Sequence, residues 1–143
     1  KVSKKVVYFD RFNQIDWTLQ KSRIKAVSKN YNNARMIVDS RGVGDSVYDD
    51  LKANGVNVTP FNMTSNQVKF ELINNLSIAI DNRSILFPRI PVLINELKMF
   101  SYHLTPSRNV VYSAPEGQHD DCVTCCAQLV KELVKTTREW IVR

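Results

Sequence analysis

His119, Asp120 and Asp121 stand side by side just after the turn Ala114-Pro115-Glu116-Gly117, and a helix-patterned run carrying Cys122, Cys125 and Cys126 follows. Two adjacent carboxylates at a helix start are stabilised by the positive end of the helix dipole. One of them can be the N-cap, but a cap needs only one acceptor. Asp39 is a third acidic candidate. It closes the short apolar run Met36-Ile37-Val38, and in open α/β sheets ligands sit beyond the carboxyl ends of the strands. Carboxylates from a strand end and a helix start can converge on hard divalent cations such as Mg2+ or Mn2+. Two such ions, about 3.5–4 Å apart, can activate water and stabilise the leaving oxygen in phosphodiester hydrolysis. A plainer account stands beside this one. Asp39 can simply bond the turn amides of Arg41 to Gly44, with one aspartate at the helix start acting as a cap and the other sitting in the first turn.

The other chemistry-bearing residue types say less. The three cysteines follow i, i+3, i+4 spacing. Structural zinc wants four ligands, usually from a second paired cluster, and no second CxxC exists, so the thiols read as small core residues. Gly42-Val43-Gly44 is a weak phosphate-loop signal. Neither GxxxxGK[ST] nor GxGxxG occurs, which leaves nucleotide hydrolysis unsupported. Arg41, Lys69, Arg89 and Arg108 fall at turns or helix faces where a DNA backbone could run, although each taken singly reads first as a solvated charge.

These residues need elements to position them. Val6 to Phe9 reads as a strand. A helix starting at Asp16 or Thr18 carries Leu19, Ile24 and Val27, and the strand ending in Asp39 follows. After the glycine turn, Asp45 is expected to cap a helix over Ser46 to Ala53, closed by Asn54-Gly55. Val56 to Phe61 reads as a strand. Thr64 or Ser65 caps a long helix with Val68, Leu72, Ile73, Leu76 and Ile80 on one face. Ile85 to Phe87 is a short extended piece ended by Pro88 and Pro91. Val92 to Tyr102 reads as helix, Val110 to Tyr112 as strand, and residues 120 to 142 as a last helix with Val123, Ala127, Val130, Leu133 and Val134 inward. Strands alternating with helices give an α/β class with parallel pairing at the centre.

The chain has 143 residues, 43% of them apolar, enough for one domain with a buried core and no staples. The net charge of +6 favours an anionic partner such as nucleic acid. An odd cysteine cluster within one helical turn cannot build a disulfide framework, and free thiols suit the reducing cytoplasm. No apolar run reaches membrane-spanning length, and Lys1-Val2-Ser3-Lys4-Lys5 has no apolar signal core behind it.

Three blocks, in this order, carry a family resemblance: "IVDSRGVGDSVYDDLKANGVNV", "MTSNQVKFELINNLSIAIDNRSILFPRIPVLINELKMF" and "VYSAPEGQHDDCVTCCAQL". Together they resemble the C-terminal nuclease domain of tailed-phage large terminase subunits, almost end to end. The resemblance implies a ribonuclease-H-like mixed sheet flanked by helices, as a single domain over 1–143. It implies an endonuclease cutting concatemeric double-stranded DNA during genome packaging, with two Mg2+ or Mn2+ ions held by acidic residues. By position, Asp39 is the second-strand carboxylate, and Asp120 and Asp121 are the pair at the last helix, their rank as ligands left open. His119 positions a water or phosphate, and Lys69 and Arg41 meet the DNA backbone. The implied partners are the terminase ATPase domain, the small terminase subunit and the portal protein, with no membrane, in the host cytoplasm.

One departure stands out. The family's fold begins with a strand bearing another metal-binding aspartate, whereas this chain starts after it, at "KKVVYFDRF", where Asp10 falls outside the pattern. The upstream ATPase motor is also outside it. Two other readings follow from the same residues. One is a DNA-binding or portal-docking module with no chemistry of its own. The other is a transposase or junction resolvase using the same acidic geometry.

Overall fold

Short apolar runs alternate with helix-spaced apolar positions along the chain, and the elements follow that alternation. The computed structural model describes residues 4–40, 42–104, 110–115 and 117–139. Its order is β1 (Lys4–Lys5), α1 (Trp17–Asn30), β2 (Met36–Asp39), α2 (Val43–Ala53), β3 (Val58–Phe61), α3 (Asn66–Asp81), β4 (Ile85–Leu86), α4 (Pro91–Met99), β5 (Ser101–Leu104), β6 (Val110–Ser113) and α5 (Asp121–Glu139). The chain divides into two compact units, one of Asp10–Met63 and one of Lys1–Phe9 with Thr64–Arg143.

In the unit Asp10–Met63, Asp16 caps α1 by accepting from the Leu19 amide at 2.9 Å. Strands β2 and β3 pair in parallel, with Met36 opposite Val58 and Asp39 opposite Phe61. Helix α2 packs on both strands, and Leu51, Val56 and Phe61 are buried in this unit. Helix α2 starts earlier than the expected Asp45 cap. Gly42 is its N-cap, with φ of 60° and ψ of −117° and no side-chain cap bond. A residue with a Cβ is strained at that φ, so glycine lets the chain enter the helix directly, and Asp45 sits in the first turn, where the dipole favours a carboxylate.

In the other unit, Ser65 caps α3 through the Val68 amide at 3.3 Å. Leu72, Leu76 and Ala79 of α3 are buried, as are Val123, Ala127 and Val130 of α5, and these two helices form the unit's most extensive packing. Leu93 on α4 is also buried. Strands β1 and β4 pair in parallel, while β5 and β6 pair antiparallel, with Tyr102 opposite Tyr112.

Two further boundaries and one inward-facing residue differ from the sequence expectation. The first strand is Lys4–Lys5, and residues 6–9 continue past it as irregular chain with Val7 71% exposed. A strand lasts only as long as its partner, and β4 stops two residues before Pro88, which has no amide to donate. Helix α4 ends at Met99 because Phe100 turns extended, φ −66° and ψ 122°, and the aromatic and β-compatible residues after it join the β5–β6 ladder. Leu133 on α5 is exposed, and the side chain of Val134 and residues 140–142 lie outside the described residues.

Candidate functional site

The start of α5 is built by a turn and two neighbouring helices. Gly117, with φ of 77°, permits the turn in which the Gln118 amide reaches the Pro115 carbonyl at 3.0 Å. The Thr124 amide then donates to the Asp120 carbonyl at 2.9 Å, the first helical bond of α5, so Asp120 occupies the N-cap position.

Its side chain does not do the capping. The amides of Cys122 and Val123 donate instead to one oxygen of Glu96, at 2.7 and 3.3 Å. Glu96 comes from α4 and is only 7% exposed. Asp120 turns its carboxylate to Lys69, whose Nζ lies 2.8 Å from Oδ2. Lys69 stands one turn into α3, and α3–α5 packing carries it there. Its ammonium also lies 5.8 Å from the centre of the Phe100 ring. Phe100 stacks on Tyr112 at 6.3 Å, and Tyr112 meets Phe70 at 5.7 Å. The Lys69 and Asp120 side chains are 21% and 25% exposed, so the ring cluster and the helices screen the pair from most of the solvent, which strengthens its attraction.

Asp121 is exposed. The His119 Nδ1 lies 3.8 Å from its Oδ2, with both side chains more than 70% exposed. That separation is too long for a hydrogen bond, and water competes for both groups.

The thiols divide by position on the helix. Cys122 and Cys126 are buried, as the core reading expected, but Cys125 is exposed, because its place on α5 falls outside the stripe that packs inward. Burial pushes the Cys126 thiol up to about 11, with Cys125 and Glu96 adding to the rise. A thiol kept neutral is neither a nucleophile nor a metal ligand near neutral pH.

Asp39 belongs to the other unit. It ends β2 half-buried, and the residue after it is pinned: Ser40 is buried, its amide reaches the Phe61 carbonyl at 3.1 Å, and its hydroxyl meets the Asn62 Oδ1 at 3.0 Å. Arg41 lies outside the described residues, as do Arg108 and Glu116.

The donor chemistry at the α5 start suits a hard divalent ion. Asp120 and Asp121 offer carboxylate oxygens, and the two buried thiols are turned to packing. Among the described residues no group of three His, Cys, Asp or Glu side chains is gathered for a metal.

Sequence reasoning passed over Glu96 and Phe100. The signal for Glu96 was a carboxylate three residues after Leu93, inside the apolar stripe of a short helix. A charge there needs a buried partner, and the first amides of α5 provide one.

A family model described as "Terminase RNaseH-like domain" matches residues 6–133. The large terminase subunit of Thermus virus P23-45 is 36% identical over 122 residues, covering 85% of this chain and 25% of that protein. The large terminase nuclease from thermophilic phage G20c, solved with bound magnesium, superposes with a TM-score of 0.77 at 35% identity, covering 84% of this chain and 64% of that one. The same nuclease solved with bound cobalt gives the same figures. The chain therefore spans about a quarter of that relative's length and a little under two thirds of the solved nuclease chains. The architecture, strands alternating with helices, is that of a ribonuclease-H-like α/β fold.

Proposed function

This chain belongs to the terminase ribonuclease-H-like domain family, and on that premise we propose that it forms a single nuclease domain over 1–143 that cuts concatemeric double-stranded viral DNA during genome packaging. The observation that carries the reading is the α5 start. There a buried Glu96 caps the helix, so neither aspartate is needed as the cap, and Asp120 is held instead by Lys69.

In this reading Asp39, Asp120 and Asp121 hold two divalent ions, Mg2+ or Mn2+. Such ions, when bound, supply an activated water and charge for the leaving oxygen. The protein's part is to fix the carboxylates. Parallel β2–β3 pairing holds the backbone of Asp39, and the Lys69 contact holds Asp120. His119, exposed beside Asp121, orients a water or a phosphate oxygen. Lys69 and Arg41 add positive charge toward the DNA backbone, within a chain whose net charge is +6. The packaging ATPase domain, the small terminase subunit and the portal are its partners, in the host cytoplasm. Among the described residues no helix is long and apolar enough to cross a membrane. Bound magnesium and cobalt in the solved G20c nuclease support the metal requirement.

Nicking of supercoiled plasmid with MgCl2 or MnCl2 tests this. In the complete nuclease domain, Asp39→Ala and Asp121→Ala are each expected to abolish cutting while the protein unfolds at the parent temperature. A fully active Asp39→Ala protein would refute the assignment. A complete domain that binds plasmid and cuts with neither ion favours a docking module.

A further inference from the structure

We propose that Glu96 is a positioning residue that makes the start of α5 hospitable to a cation. The problem it solves is electrostatic. The N-terminus of a helix carries the equivalent of about half a positive charge, so a divalent ion held by Asp120 and Asp121 would sit against the repelling end of α5. A helix of this kind is normally capped by its own N-cap side chain, which here is Asp120. That carboxylate bonds Lys69 instead. Glu96 reaches in from another helix and accepts from both the Cys122 and Val123 amides through one oxygen, the amides a local cap would have satisfied.

A neutral acceptor would also satisfy those amides. Burying a carboxylate at 7% exposure is the costlier choice, and the negative charge is what it adds. That charge offsets the dipole directly behind the aspartate pair. Glu96 thus has two separable jobs, holding the first turn of α5 by hydrogen bonds and lowering the potential there. The inference rests on the reading that Asp120 and Asp121 bind a divalent ion.

Two variants separate the jobs. Glu96→Gln keeps the length and an acceptor oxygen but removes the charge. Glu96→Asp keeps the charge and shortens the reach. Mn2+ affinity of the full chain, measured by isothermal titration with MnCl2 and by the free Mn2+ signal in electron paramagnetic resonance, ranks them. Thermal unfolding in EDTA sets a temperature at which all are folded. The expected order is parent tightest, Glu96→Asp next and Glu96→Gln weakest, the last by roughly five- to tenfold, in line with dipole-scale electrostatics. A residue that only capped the helix would give the opposite order, with Glu96→Gln close to the parent and Glu96→Asp weaker, and that result would overturn the proposal. Failure of the underlying reading looks different. A parent chain that binds no Mn2+ removes the cation site itself, whereas a parent that binds with Glu96→Gln unchanged removes only the role of Glu96.

Discussion

Replacing Lys69 by Met asks whether its ammonium and a divalent ion compete for the same carboxylate oxygen. Met keeps most of the apolar stem against Phe100 and removes the charge. The Nζ–Oδ2 separation is 2.8 Å, with both side chains about four-fifths buried. The Coulomb attraction at that distance is about 6 kcal/mol at an effective dielectric of about 20 and about 1.5 kcal/mol in water. Desolvating both groups and ordering the lysine stem cancel most of the larger figure, leaving about 1–2 kcal/mol net. For a chain of this length, that lowers the unfolding temperature in EDTA by about 3–6 °C. Adding MnCl2 should reverse the comparison. With the internal cation gone, Asp120 and Asp121 repel one another, and the ion no longer has to displace an ammonium. Mn2+ affinity is expected to rise by roughly five- to thirtyfold, the same 1–2 kcal/mol expressed as a ratio, and the ion-induced gain in unfolding temperature should exceed the parent's. Differential scanning calorimetry with and without MnCl2 measures both. A variant that loses stability in EDTA yet gains no more than the parent from Mn2+ would show that Lys69 does not share its oxygen with the ion. A variant unchanged in EDTA would show that the pair contributes nothing to the fold.

Two further outcomes follow from local chemistry. The Cys126 thiol is pushed from 9.0 up to about 11, chiefly by burial. The folded state therefore keeps a proton that the unfolded chain releases above about pH 9, and the stability this provides is complete below that pH and lost as pH rises through about 11; urea unfolding of parent and Cys126→Ala from pH 8 to 11 should show the difference between them shrinking with rising pH, by about 2–3 kcal/mol at most. Ser65→Ala removes the oxygen that caps α3 at the Val68 amide and is expected to cost about 1 kcal/mol, read as a lower urea midpoint with an unchanged slope.

How far the sequence reached depended on whether the deciding interaction was local. The apolar stripe of α3 and the strand ending at Asp39 follow from residues within a few positions of one another and appear in the structure as expected, and of the two cap candidates for each helix, Asp16 or Thr18 and Thr64 or Ser65, the structure uses Asp16 and Ser65. The errors arose where a distant partner decides. Residues 6–9 have a strand's composition, but the strand ends where β4 runs out of partner backbone before Pro88. Residues 100–102 fit the period of α4, but Tyr102 is taken up by its pairing with Tyr112 on β6. At the α5 start the same distinction governs the chemistry. His119, Asp120 and Asp121 were legible as a surplus of acid and histidine, and sequence alone left open whether one carboxylate was merely a cap. The answer lies 24 positions before Asp120, on another helix. Glu96 satisfies the amides of Cys122 and Val123, so Asp120 is not needed for them, and Lys69, 51 positions away, takes its carboxylate. A carboxylate relieved of capping and held instead by an ammonium can exchange that partner for another cation without unwinding the helix that carries it. That property follows from the placement of three charged side chains on three helices, which no stretch of the sequence read by itself contains.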